Sequence, residues 1–271
     1  MKLTNFGIIF ACIFLCFATI WGIRVASINS MSFLNIRYNQ AVDNAVTDAL
    51  HMFVELDDGE SLKYNIDEAK EQFFRTLGIN LNVNSELERN RLEEYVPVLC
   101  FLLPEGFYVY HNSYSKNKDD KWERSYEVSE FYNYYTEDQY YEYCFTLTDE
   151  IWVKNKETLE VFQGKPREIS DYCGASFLKD EKALENIRKE TVVKSVIDKI
   201  EYYANEHNLN GKEYGISYEC NIPEISDATW VRTIENPGIM ALVQGMPYGN
   251  DKGYFSKVAF GGARIYKKAW E

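Results

Sequence analysis

Residues Phe6–Ile23 read FGIIFACIFLCFATIWGI, and Arg24–Val54 continue without a break as RVASINSMSFLNIRYNQAVDNAVTDALHMFV. The first stretch holds no charged side chain. As an α-helix it would be about 27 Å long, close to the hydrocarbon thickness of a bilayer. A buried core helix can be as apolar, but this segment lies near the N-terminus between Lys2 and Arg24, which predicts a membrane span. Cleavable signals have a shorter apolar region followed by small residues. Here the run is longer, and Arg24 and Val25 interrupt the small-residue pattern, so an uncleaved anchor is expected.

Beyond Arg24 the pattern changes from uniformly apolar to striped. Ile28, Met31, Leu34, Tyr38, Val42, Ala45, Leu50 and Phe53 recur at helical spacing, with Asn39, Asp43, Asn44 and Asp48 on the other side. No Gly or Pro falls between Gly22 and Gly59. The expectation is one helix over about residues 4–55, its first half in lipid and its second half packed on a domain, ending near Asp57-Asp58-Gly59. Ile28, Met31, Leu34, Tyr38 and Val42 form the candidate assembly face of this stem. The chain thus divides into a short tail (1–5), an anchor (6–23), a stem (24–55) and an aqueous domain (56–271).

Charge is distributed in the same way. Of 29 basic residues only Lys2, Arg24 and Arg37 precede Asp43, and all 42 acidic residues lie at or after it, leaving 26 against 42 in the remainder, a formal −16. Such a surface is soluble and self-repelling, and it excludes binding to nucleic-acid phosphates. With 21 Tyr and 16 Phe, the domain is a packed one rather than a disordered tail. Basic residues flank the anchor on both sides and nearly cancel in the positive-inside sense. The character of the domain then places it outside the cell membrane, with the N-terminus in the cytoplasm.

Two helices and several strands follow. Asn65 and Glu68 make a capping pattern for a helix from Ile66 to Leu77, ended by Gly78, and Ser85 with Glu88 repeats it for a short helix toward Glu94. YVPVLCFLL, Pro104-Glu105-Gly106 and FYVYH read as a hairpin. Further strands are expected at Tyr141–Leu147, Ile151–Lys154 and Leu159–Gln163. The Tyr-rich stretch from Trp122 to Tyr143 reads either as an aromatic binding surface for a glycan or protein, or as a long excursion whose rings pack on the sheet. The strongest amphipathic helix runs over about Asp180–His207, closed by Asn208-Leu209-Asn210-Gly211. Strands are then expected at Tyr214–Ile222, Gly238–Gln244 and Tyr254–Tyr266, with a bulge at Gly261-Gly262. Because strands and helices do not alternate, the fold class is α+β: a long N-terminal helix packed with further helices on an antiparallel sheet.

Catalytic patterns are sparse. His51, His111 and His207 share no metal-ligand spacing, and His207 is expected at a helix C-terminus. No nucleophile-elbow, phosphate-loop or dinucleotide motif occurs. The carboxylates are too many for sequence to single out a glycosidase pair. No metal or cofactor is predicted. Trp230, Arg232 and Gln244 stand out around an apolar run as candidate recognition residues or buried polar ties. Cys100, Cys144, Cys173 and Cys220 fit either two disulfides, in any of three connectivities, or free thiols within the core.

Anchor and stem together resemble the pilin and pseudopilin plan, including TadE-like minor pilins, over Phe6–Val54. The resemblance implies a subunit without catalytic function that sits in the membrane and assembles through its apolar helix with other membrane or surface proteins. Gly7 matches a processing glycine, but Cys12 stands where that family carries Glu, so prepilin-type processing is not expected. WVRTI, QGMPYG and FGGARIYKK also resemble the tail of single-span Gram-positive bacterial proteins with no assigned activity. The expected function is therefore a non-enzymatic membrane-anchored assembly component. The alternatives are a binding module using residues 122–143, or an anchored hydrolase with a carboxylate pair.

Overall fold

The computed structural model describes residues 3–57, 61–83, 85, 91–116, 118, 122–213, 236–247 and 254–262. Its first element, α1 (Leu3–Phe53), is one unbroken helix of 51 residues. At 1.5 Å per residue that is about 76 Å, far longer than a bilayer core. From residue 10 to residue 30 every side chain is exposed. Farther along, Ala41, Val42, Ala45, Val46, Ala49 and Phe53 are all buried. The stripe, which opens at Ile28, therefore begins before the helix meets the domain: among the described residues Met31 is the first half-buried one and Ala41 the first buried one.

The helix ends at Phe53 and passes directly into a hairpin, β1 (Val54–Asp57) with β2 (Ser61–Tyr64). The helix thus ends about two residues before the expected position near residue 55, and the hairpin follows without a helical break signal. Phe53 stays with the core, its carbonyl accepting from the Asn65 N–H (2.9 Å). Next comes α2 (Ile66–Leu81), where the Asn65 side chain accepts from the Glu68 N–H as the capping pattern required. Gly78 does not end the helix. It is buried within it, and the left-handed residue is Asn82 (φ 59°), whose N–H reaches the Gly78 and Ile79 carbonyls.

The sheet has nine strands among the described residues, β3 (Val98–Leu103), β4 (Gly106–Lys116), β5 (Trp122–Val128), β6 (Tyr132–Glu137), β7 (Tyr141–Phe145), β8 (Ile151–Asn155), β9 (Val161–Gly164), β10 (Gly238–Pro247) and β11 (Tyr254–Gly262). Their order is β11-β10-β3-β4-β6-β7-β8-β9, with β5 also paired to β4. All pairings are antiparallel. β3 (Val98–Leu103) and β4 (Gly106–Lys116) form the expected hairpin around Pro104-Glu105. β4 is long enough to serve two partners on one edge: Gly106 and Phe107 pair with β6 (Tyr132–Glu137), and residues 110–116 pair with β5 (Trp122–Val128). Ser129 bridges the step, its N–H donating to the Val109 carbonyl (2.8 Å) and its Oγ accepting from the Val109 N–H (3.1 Å). The Tyr-rich segment Trp122–Tyr143 is thus two strands and the start of a third rather than an excursion. β7 (Tyr141–Phe145), β8 (Ile151–Asn155) and β9 (Val161–Gly164) then complete a meander.

After the short α3 (Pro166–Ile169) and a 3-10 turn (Ser176–Lys179), α4 (Glu181–Glu213) crosses the sheet. It continues through Asn208–Gly211, where the sequence suggested a stop. β10 (Gly238–Pro247) and β11 (Tyr254–Gly262) close the far edge. The expected strand Tyr214–Ile222 and the turn at 248–250 lie outside the described residues.

Two cores sit on opposite faces of the sheet. One joins Val98, Cys100, Leu102 and Met240 to Val192, Val196 and Ile200 of α4. The other joins Leu99, Phe101, Ile239 and Ala241 to α1 and α2. The α+β class holds: helices pack on both faces of a large antiparallel sheet. The bulge falls at Gly245 (φ 76°), between Gln244 and Met246, and not at Gly261-Gly262. Gly261 has another purpose: a Cβ there would lie 2.8 Å from Val46 Cγ1 of α1, so a bare backbone lets the stem lie against β11.

Candidate interaction surfaces

The candidate assembly face is turned mostly toward the domain. Val42 is fully buried, Tyr38, Leu34 and Met31 are half-buried, and only Ile28 is free at 61 % exposed. Tyr38 packs edge-on against Phe255 and its hydroxyl donates to the Pro247 carbonyl (3.1 Å). Around it, Arg37 donates to the Asn80 carbonyl, Thr76 donates to Asp48 (2.7 Å), and Lys257 pairs with Asp43. An apolar stripe at helical spacing marks what a helix buries, and here the buried partner is the same chain. The surface left open is the opposite one, where Phe33 is 66 % and Ile36 58 % exposed. Phe33 lies nine residues from Val42, about 180° round the helix.

A second feature is a cleft of 770 Å³ between α4 and the edge of β4 and β5. One face of α4 presents Lys199, Tyr203 and Glu206 at i, i+4 and i+7. The His111 ring, on β4, stacks on Tyr203 with centroids 3.9 Å apart. The Tyr203 and Tyr132 hydroxyls are 2.7 Å apart, and Lys199 Nζ sits 4.0 Å above the Tyr132 ring. Burial, then the Tyr132 hydroxyl, push the Tyr203 phenol up, so it stays neutral at ordinary pH. Below them Asn112 Nδ2 contacts His207 Nδ1, and His111 Nδ1 lies 3.1 Å from the Asn112 carbonyl. That carbonyl can only accept, which puts the His111 proton on Nδ1. Buried polar groups in such a chain act as a tie between helix and sheet.

The structure therefore brings together two histidines 96 residues apart in sequence, and no spacing signal announces that. His207 is not at a helix end: it is 2 % exposed and six residues before the end of α4. His51 is exposed in the last turn of α1. Glu127 and Glu130 stand exposed at the cleft rim and Glu206 is half-buried. A glycosidase acid is kept protonated by burial, and among the described residues no Asp or Glu is buried. None of them forms a group of three ligands able to hold a metal.

Gln244 is buried, and its Nε2 donates to Asn208 Oδ1 (3.2 Å), tying β10 to α4. Trp230 and Arg232 lie outside the described residues. Cys100, Cys144 and Cys173 are free thiols, and Cys220 lies outside the description. Cys100 faces the α4 side of the sheet and Cys144 the other, so those two cannot pair. Burial pushes the Cys100 thiol well up, which leaves it inert. The Tyr-rich stretch divides between core and surface. Tyr134 and Tyr143 are buried, Tyr134 donating to the Leu103 and Gly106 carbonyls, while Tyr135 and Tyr140 are exposed.

What fold and surfaces define is an α+β domain carried on a single long apolar helix that is long and apolar enough to cross a membrane. No family model matches the chain, and no curated protein or solved structure matches it significantly.

Proposed function

We propose that the protein is a non-enzymatic, membrane-anchored component of an extracytoplasmic assembly, similar in plan to a minor pilin. The partner would meet it on the domain-distal side of the stem, at Phe33 and Ile36. The observation that carries this reading is the continuity of α1. Its exposed apolar part and its buried part are one helix without a Gly or Pro break after Gly22, so the domain is held rigidly to the anchor. A simple tether has no need of rigidity, whereas a subunit that must present a surface at fixed height does. Two large apolar side chains standing free above the span support a contact there.

Cysteines placed singly at Phe33 and Ile36, in a chain whose Cys12 and Cys16 are replaced by alanine, would be treated with a bis-maleimide on intact cells. The expected result is a specific crosslinked species from both positions. Crosslinking from neither position overturns the assembly reading. Sidedness is read separately from Glu157→Cys, an exposed loop position. Labelling by a membrane-impermeant maleimide is expected, and labelling only after lysis would place the domain inside.

A further inference from the structure

Over β6–β9 the inward side chains Tyr134, Tyr143, Phe145, Ile151 and Val153 are buried in the α4-side core. The outward ones face away from it, and the core formed by α1 and α2 includes none of them. Register puts them in two rows. Tyr135, Cys144, Trp152 and Gln163 stand side by side across four strands, and Glu137, Glu142 and Lys154 stand beside them. Tyr135 is 44 % and Trp152 41 % exposed. They are two strands apart, about 9.5 Å, with the smaller Cys144 side chain between them. The result is a face on which two exposed aromatic rings flank a smaller side chain.

Its charges are cancelled locally. Glu137 pairs with Lys156 (2.8 Å) and also accepts from the Tyr135 hydroxyl (2.7 Å), while Glu142 pairs with Lys154 (3.0 Å). In a chain of net charge −13, this neutral patch neither attracts a cation nor lowers the barrier to an anion. Paired carboxylates and lysines, with Gln163, still offer acceptors and donors to hydroxyl groups, and the ring faces suit the C–H faces of sugar rings. We infer that the open face of β6–β9 binds a neutral polysaccharide strand laid across the β-strands, with Tyr135 and Trp152 as its two stacking platforms. A separation of two strands leaves room for one sugar over Cys144 between the stacked pair. Binding here does not depend on which side of α1 meets a partner.

The test uses the full-length chain in detergent micelles, titrated with chitohexaose, cellohexaose and, as an acidic comparison, an oligogalacturonate. At least one neutral oligomer is expected to bind and the acidic one not to. Trp152→Ala and Tyr135→Ala should each weaken binding by about tenfold or more, while Trp152→Phe retains most of it. Bound oligomer should also slow alkylation of Cys144, followed by peptide mass mapping. The inference is overturned if neither neutral oligomer binds, if both alanine variants bind as well as the wild type, or if the acidic oligomer binds equally. Self-association that depends on Trp152, seen by sedimentation, would overturn it too, because a second copy of the chain would then be the occupant.

Discussion

Strands β3 and β10 and the meander β6–β9 belong to one sheet but are built differently. In β3, VLCFLL, and in the first seven residues of β10, GIMALVQ, all but one of the side chains are buried. In β6 and β8, YNYYTE and IWVKN, burial alternates. The first pair lies where α1 and α2 cover one face and α4 the other, and the second where, among the described residues, only one face is covered. A strand buried on both sides reads as a continuous apolar run, and one buried on a single side as an alternation. The contrast separates the part of the domain that fixes the fold from the part that presents a surface.

The sharpest way to break the comparison is to cut into the doubly covered region. Phe101 is fully buried and its ring lies 5.6 Å from that of Phe53 at the end of α1. Phe101→Ala is expected to cost about 3–5 kcal/mol in urea unfolding of the micelle-bound protein, a large part of a domain's net stability. Next is the seat of the stem on the sheet. Gly261→Val places a side chain where Val46 already packs, and a loss of about 1–3 kcal/mol is expected from overpacking. Unchanged stability in that variant would mean that α1 does not rest on β11.

Effects in the meander should be smaller. Asp138 accepts from the Tyr140 and Tyr141 N–H groups and from the Tyr143 hydroxyl, each at 2.7 Å. Burial opposes its ionisation, but these donors outweigh that and hold the carboxyl below its ordinary range. Asp138→Ala should therefore cost about 1 kcal/mol at neutral pH from lost hydrogen bonds. A depressed folded-state value makes the contribution full above the unfolded value near 3.9 and lost as pH falls through the folded one. The gap between wild type and variant should accordingly close below about pH 4, as measured by urea midpoints across pH. Smallest of all, Trp152→Ala on the open face should change stability by no more than about 0.5 kcal/mol. A cost near that of Phe101→Ala would show that the outward face is core after all.

Much of the fold was legible because its signals are local. The α1 helix, the Asn65 cap, the β3–β4 hairpin and the amphipathic α4 each follow from spacing or turn chemistry within a few residues. Gly78 misled because a glycine can end a helix or sit within one, and only Asn82 adopting φ 59° decided the matter. Gly261-Gly262 suggested a bulge because sequence does not show the α1 side chain that lies above it. The histidine and tyrosine cluster was invisible for the same reason: His111, Tyr132, Tyr203 and His207 come from three elements and share no periodicity. The candidate assembly face is a stripe at helical spacing, and such a stripe does not say whether the surface it meets belongs to another chain or to the same one. Of its five residues, Val42 is buried against the domain and Ile28 is exposed.

By itself the sequence determined that an uncharged run of anchor length continues into a striped helix, that an acidic, aromatic-rich domain follows, and that its class is α+β. Each of these is a property of composition or of short-range period, which the chain carries wherever it folds. Tertiary structure decided which side of the stem is covered, which helices cover the strands buried on both faces, and which of the many tyrosines remain in solvent. Those outcomes depend on non-local packing: α1 and α2 lie over β3 and β10 but not over β6–β9, and a strand's apolar pattern records that a face is covered without saying which element covers it.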